Sequence, residues 1–220
     1  MTANDMDYLT IALPKGKLFG PSAGLFARLG YKADGLSEDS RKLVIANDAL
    51  KIRFIITKPV DLPTYVEYGA ADIGIIGKDV LLEETKDVYE LLDLKFGGCR
   101  MMVAVPAAIK QEKLSDYAHM RAATKYPRIA ERFFRNLGIQ VEIIKLNGSI
   151  ELAPMVGLAE MIVDLVETGR TLRENNLLEV AEVAPITARF IANRVSFKMK
   201  FDRIHKLVEE LKTMVESGDN

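Results

Sequence analysis

The chain has 220 residues, with hydrophobic types at 49% and charged types at 28%, enough to bury a core without disulfides or metals. Lys+Arg number 30 against 31 Asp+Glu, a formal net charge of -1. That excludes a generally basic nucleic-acid surface and leaves room for a local cationic site. One cysteine, Cys99, and two histidines, His119 and His205, exclude a disulfide framework, a multi-cysteine zinc site and a histidine-rich metal cage. The polar stretch Met1 to Tyr8 lacks an apolar segment behind a basic start, so no signal peptide is expected. No apolar run approaches the roughly 18 residues needed to cross a bilayer. The expectation is a cytoplasmic protein without a membrane partner.

In chain order, Leu9 to Leu13 reads as a strand, followed by the turn Pro14-Lys15-Gly16-Lys17. A helix is predicted from about Pro21 to Gly30. Ile52 to Thr57 has the β-branched and aromatic character of a buried strand. Asp61 is placed to cap a short helix over Leu62 to Tyr68, with Pro63 in its first turn. Ile73 to Ile76 and Met101 to Val105 read as short strands, the second stopped by Pro106. Arg128 to Asn136 is a predicted helix closed by Gly138. Strands follow at Val141 to Lys145, Met161 to Val166, Leu178 to Val183 and Thr187 to Ala192. The segment Phe201 to Val215 carries Ile204, Leu207, Val208, Leu211 and Val215 at helical spacing. Alternating strands and helices predict α/β layering with mostly parallel sheets. No repeat, low-complexity stretch or linker marks a domain boundary.

The clearest chemical signal is Asp164-Leu165-Val166-Glu167-Thr168-Gly169-Arg170-Thr171-Leu172, directly after a buried strand. Gly169 permits close backbone approach. The Thr168 and Thr171 hydroxyls, with backbone N–H groups, could cradle a phosphate. Asp164 and Glu167 on its rim suit ribose hydroxyls. From spacing alone an ordinary strand–helix turn capped by threonine is the favoured reading, since such turns are common, and the Gly-Lys-Ser/Thr ending of a Walker loop is absent. In Pro14-Lys15-Gly16-Lys17, two cations flank a glycine at a strand's carboxyl end, where an α/β sheet binds anions; a solvated turn is the alternative. Arg41, Lys42, Arg53 and Lys58 read singly as surface charges. Asp72 and Asp79 read as caps at the two ends of a short strand rather than as an acid–base pair. Cys99 has no histidine companion and reads as a packed thiol. The two histidines read as surface residues in polar, helix-like surroundings.

Taken together and in order, these segments resemble the short form of the ATP phosphoribosyltransferase family. The resemblance is carried by LTIALPKGKL (9–18), SRKL (40–43), DLPTYVEYGAADIGIIGKDVL (61–81), ELLDLKFGGCR (90–100), ATKYP (123–127), IIKLNGSIELAPMVGLAEMIVDLVETGRTLRENNL (143–177) and NRVSFK (193–198). It implies an α/β fold like the type II periplasmic binding proteins, with two lobes of mixed, mostly parallel sheets and an active site in the cleft between them. Lobe one would comprise residues 1–94 and 184–220, and lobe two residues 95–183. No C-terminal regulatory domain is expected.

The implied reaction joins phosphoribosyl pyrophosphate to N1 of ATP and releases pyrophosphate, the first step of histidine biosynthesis. Within that resemblance Glu167, Thr168, Gly169, Arg170, Thr171 and Leu172 hold the 5-phosphate, and Asp164 binds the ribose hydroxyls. Lys17 and Arg41 correspond to catalytic positions at the leaving pyrophosphate, with Lys15 and Gly16 beside them as substrate-binding residues. Lysine at 17 and 58 departs from the arginine common in relatives and loses a bidentate fork. Magnesium is expected on the substrate's pyrophosphate, with no protein metal site. The implied partners are a second catalytic chain and a regulatory subunit resembling histidyl-tRNA synthetase, in a hetero-octamer. The rivals are a salvage phosphoribosyltransferase acting on a free base and a non-catalytic anion- or solute-binding protein of the same fold.

Overall fold

In the structure, a computed structural model, residues 7–218 are described; most of the polar N-terminal stretch and the last two residues lie outside them. Strand β1 (Leu9–Pro14) is buried at every position, which requires cover on both faces of its sheet. Leu9, Ile11 and Leu13 point into one core, packed against α1 (Phe19–Arg28) and α8 (Phe201–Ser217). Ala12 points into another, with Leu62 and Val66 of α2 (Leu62–Glu67). Around β1 lie β2 (Val44–Asn47), β3 (Ile52–Thr57), β4 (Ile73–Gly77), β5 (Tyr89–Asp93) and β11 (Ala188–Ala192), in the order β2-β3-β1-β4-β11-β5. Helix α3 (Lys78–Glu84) follows β4 directly, and α7 (Arg194–Met199) precedes α8. Ile204, Leu207 and Leu211 of α8 are fully buried, the stripe expected from its spacing.

The second sheet contains β6 (Cys99–Pro106), β7 (Arg121–Thr124), β8 (Glu142–Lys145), β9 (Met161–Val166) and β10 (Leu177–Ile186), ordered β10-β6-β9-β7-β8. It carries α4 (Pro127–Asn136), α5 (Leu152–Met155) and α6 (Arg170–Glu174). The chain forms two compact units, one of residues 1–97 with 187–220 and one of residues 98–186. Both sheets are mixed. Parallel pairing is confined to β3-β1-β4 and to β9-β7-β8. The share of parallel pairing is smaller than the alternation of strands and helices suggested, because β2 and β11 in the first sheet and β6 and β10 in the second run antiparallel to their neighbours.

Several elements differ from expectation. Helix α1 begins at Phe19, so Pro21 sits inside its first turn. Asp61 precedes α2 but makes no side-chain cap bond, its own backbone being already helical. Asp72 is not a cap. Its buried carboxylate accepts from the Thr10 N–H at 2.7 Å and pairs with Lys200 Nζ at 2.7 Å, tying β1 to the start of α8. Asp79 lies in the first turn of α3 and is buried, while Gly77 holds the cap position. Cys99 is half-buried at the start of β6. Both histidines are exposed, but His119 occupies a left-handed turn (φ 65) rather than a helix. No helix among the described residues is long and apolar enough to cross a membrane.

Candidate active site

The segment Glu167–Gly169 leaves the carboxyl end of β9 and feeds α6, as the sequence implied. Gly169 has φ 69 and is buried, in a backbone region that glycine enters at little cost. The Thr168 hydroxyl faces back toward the Arg170 N–H (3.4 Å). The Arg170 guanidinium is turned to Glu174, with Nε 2.7 Å from Oε1. A cavity of about 230 Å³ opens here, lined by Glu151, Ile162, Asp164 and the run Leu165–Leu172. Thus Asp164, Glu167, Thr168, Gly169, Arg170, Thr171 and Leu172 do share one concave surface.

Asp164 is half-buried on β9. Burial pushes its carboxyl up to about 6; the Leu165 N–H at 2.8 Å holds it down, Glu151 adds to the rise, and Lys125 opposes it. Glu151 and Lys125 were not singled out from the sequence as site residues. Lys125 follows β7, which pairs parallel with β9, and Glu151 stands immediately before α5. Only strand pairing brings them to Asp164. The string ATKYP within the resemblance was the available signal for Lys125.

The other candidates gather on one edge of the first sheet. Strands β1 and β3 run parallel in register to Pro14 and Thr57, so Lys15 and Lys58 leave the sheet side by side. The Lys15 N–H donates to the Thr57 carbonyl at 2.8 Å. Strand β2 runs antiparallel to β3, with Val44 opposite Ile55. Its beginning therefore lies at the same edge, bringing Arg41 and Lys42 with it, and the Ile56 N–H donates to the Leu43 carbonyl at 3.2 Å. Gly16 turns the chain with φ 85, and its N–H donates to Glu38 Oε1 at 2.6 Å. Lys15, Lys17, Arg41 and Lys58 are all exposed. The edge is a row of cations on backbone that three strands hold in place. These residues belong to the first unit and the Asp164 cavity to the second. Among the described residues no group of three or more His, Cys, Asp or Glu is placed to hold a metal ion.

The chain resembles known proteins along nearly its whole length. The profile described as ATP phosphoribosyltransferase matches residues 58–213. The ATP phosphoribosyltransferase of Syntrophomonas wolfei is 52% identical over 212 residues, covering 96% of this chain and 98% of its own. That of Caldanaerobacter subterraneus is 52% identical over 213 residues, covering 97% and 100%. Among solved structures, the ATP phosphoribosyl transferase (HisG:HisZ) complex from Thermotoga maritima superposes with a TM-score of 0.81 at 33% identity, covering 95% of this chain and 99% of that one. The substrate-binding protein of an amino-acid ABC transporter shares the fold alone, with a TM-score of 0.61 at 14% identity and coverage of 96% and 94%. The chain belongs to the ATP phosphoribosyltransferase family.

Proposed function

We propose that this chain transfers the 5-phosphoribosyl group of phosphoribosyl pyrophosphate to N1 of ATP, the first step of histidine biosynthesis. The observation that carries the reading is the gathering of Asp164 and the Glu167–Leu172 loop around one cavity, in a chain so close to its named relatives. The N1 lone pair attacks the anomeric carbon of the ribose. The bond from that carbon to the pyrophosphate oxygen breaks, and its electron pair leaves with pyrophosphate. Positive charge develops on the ribose and negative charge on the leaving group, so the enzyme's task is alignment and cationic stabilisation. Unprotonated N1 needs no strong general base.

In this reading the Thr168–Thr171 loop receives the 5-phosphate, with Glu167, Arg170 and Leu172 shaping its walls. Asp164, ionised above about pH 6, accepts from the ribose hydroxyls. Lys17 and Arg41 act on the departing pyrophosphate, with Lys15 and the Gly16 backbone beside them. Exposed ammonium and guanidinium groups on fixed strand ends suit a highly charged leaving group. Magnesium enters as part of the substrate, bound to pyrophosphate oxygens, since it keeps several waters and needs few protein ligands. A regulatory subunit of the HisZ type is the proposed partner, supported by the Thermotoga complex. A dimer of this chain within a hetero-octamer completes the proposed assembly.

The test is pyrophosphate release from phosphoribosyl pyrophosphate with ATP, compared with adenine in place of ATP. Release with ATP alone supports the reading. Release with the free base alone indicates a salvage enzyme, and binding of substrate anions without release indicates a solute-binding protein.

A further inference from the structure

Behind the proposed phosphate loop stands Arg173, a residue of α6 that does not line the cavity. Its Nη1 donates to the Thr168 carbonyl at 3.0 Å, and its own backbone N–H donates to the Gly169 carbonyl at 3.1 Å. No peptide bond among the described residues is cis. In a trans peptide the carbonyl and the following N–H lie in one plane and point in opposite directions. A guanidinium holding the Thr168 carbonyl therefore turns the Gly169 N–H away from Arg173. This peptide is also the one in the loop that can turn over most cheaply, because glycine accepts either sign of φ. Turned over, it would aim a carbonyl oxygen where an anion has to sit.

The surroundings of Gly169 fit the same role. A Cβ added there would lie 3.2 Å from Arg173 Nη1 and 3.2 Å from Glu179 Oε1. Glu179 is ion-paired with Arg100 at 2.9 Å, which offsets a negative charge close to the loop. We propose that Arg173 is a positioning residue that fixes the Thr168–Gly169 peptide with its N–H directed at the 5-phosphate. The proposal rests on the loop being the phosphoribosyl pyrophosphate site.

The full chain is titrated calorimetrically with magnesium phosphoribosyl pyrophosphate and separately with ATP, as wild type, Arg173→Met and Arg173→Lys. Arg173→Met is expected to weaken phosphoribosyl pyrophosphate binding about tenfold, the size of one lost charge-assisted hydrogen bond. Arg173→Lys keeps a donor and regains most of the loss, while ATP binding moves less than about twofold in both. The wild-type to Arg173→Met ratio should hold between roughly 50 and 300 mM salt, because a direct hydrogen bond is little screened. A ratio that collapses with salt makes Arg173 a distant cation and overturns the proposal, as does unchanged binding by Arg173→Met. In amide spectra of the 15N-labelled chain, the Gly169 resonance shifts with phosphoribosyl pyrophosphate in the wild type and loses that response in Arg173→Met; a purely structural arginine leaves it intact. If Arg173→Met does not fold, Arg173→Leu, which also lacks a donor, gives the same ratio and the same resonance. A wild-type chain that fails to bind phosphoribosyl pyrophosphate overturns the reading of the loop itself, whereas wild-type binding with an indifferent Arg173 overturns only the proposal.

Discussion

Asp164 has a carboxyl whose burial favours the protonated form up to about pH 6. Its folded value lies above the unfolded one, so stability is lost as pH rises from about 4 through 6, when the folded chain must ionise a half-buried acid. Asp164→Asn removes that cost. It should raise the melting temperature at pH 7.5, by about 2–4 °C for each kcal/mol relieved, and change it little at pH 4. Function runs the opposite way. Only the carboxylate accepts from two ribose hydroxyls, so the KM for phosphoribosyl pyrophosphate should climb as pH falls below about 6 in the wild type. In Asp164→Asn it should be high and flat across that range; an inflection surviving in the variant assigns the titration to another group. Arg41, exposed at the edge beside β2, is proposed to act when the leaving group departs. Arg41→Ala should therefore lower turnover by about a hundredfold and change ATP affinity by much less, and near-normal turnover sinks its role.

At the scale of elements, β1, β3 and β9 were legible because apolar residues dominate each: β1 is buried at every position, β3 alternates buried with part-buried positions, and β9 is interrupted only by Asp164. Strands β2, β5 and β7 were not read. Val44–Asn47 is mostly exposed, Tyr89–Asp93 is broken by acids, and Arg121–Thr124 fills its core positions with two alanines. Neither β2 nor β7 offers enough apolar surface to stand out. The loop after β9 was readable because all its residues are consecutive, whereas Lys125 and Glu151 reach Asp164 only through the pairing of β7 with β9. Asp72 was misread for a similar reason: both of its partners, Thr10 and Lys200, are remote in sequence. Removing one member of a buried ion pair strands the other, so Asp72→Ala should destabilise the fold by about 3 kcal/mol, read as a lower urea midpoint at unchanged slope. A variant as stable as wild type shows that water compensates Lys200. Gly169→Ala pairs a positive φ with a crowded side-chain position and should weaken phosphoribosyl pyrophosphate binding while leaving ATP binding close to wild type.

At the scale of the whole molecule, the resemblance to one chain of the Thermotoga complex bears on control. The isolated chain should show no inhibition by histidine, and a reconstituted complex with a HisZ-type subunit should be inhibited. Co-elution of the two on size exclusion, with rates at graded histidine, checks both points. Strong inhibition of the chain alone would place the sensor within it.

The threading of the chain also governs how the protein is made. Strand β11 lies between β4 and β5, and β5 joins its sheet only by pairing with β11. Those residues are synthesised after the whole of 98–186, the second unit. On the ribosome the usual order, amino-terminal part first, is therefore reversed. The later-made middle segment can close its own sheet while the earlier-made portion waits with the edge of β4 bare. A nascent chain released at residue 186 should carry a finished second unit and an open, aggregation-prone first one.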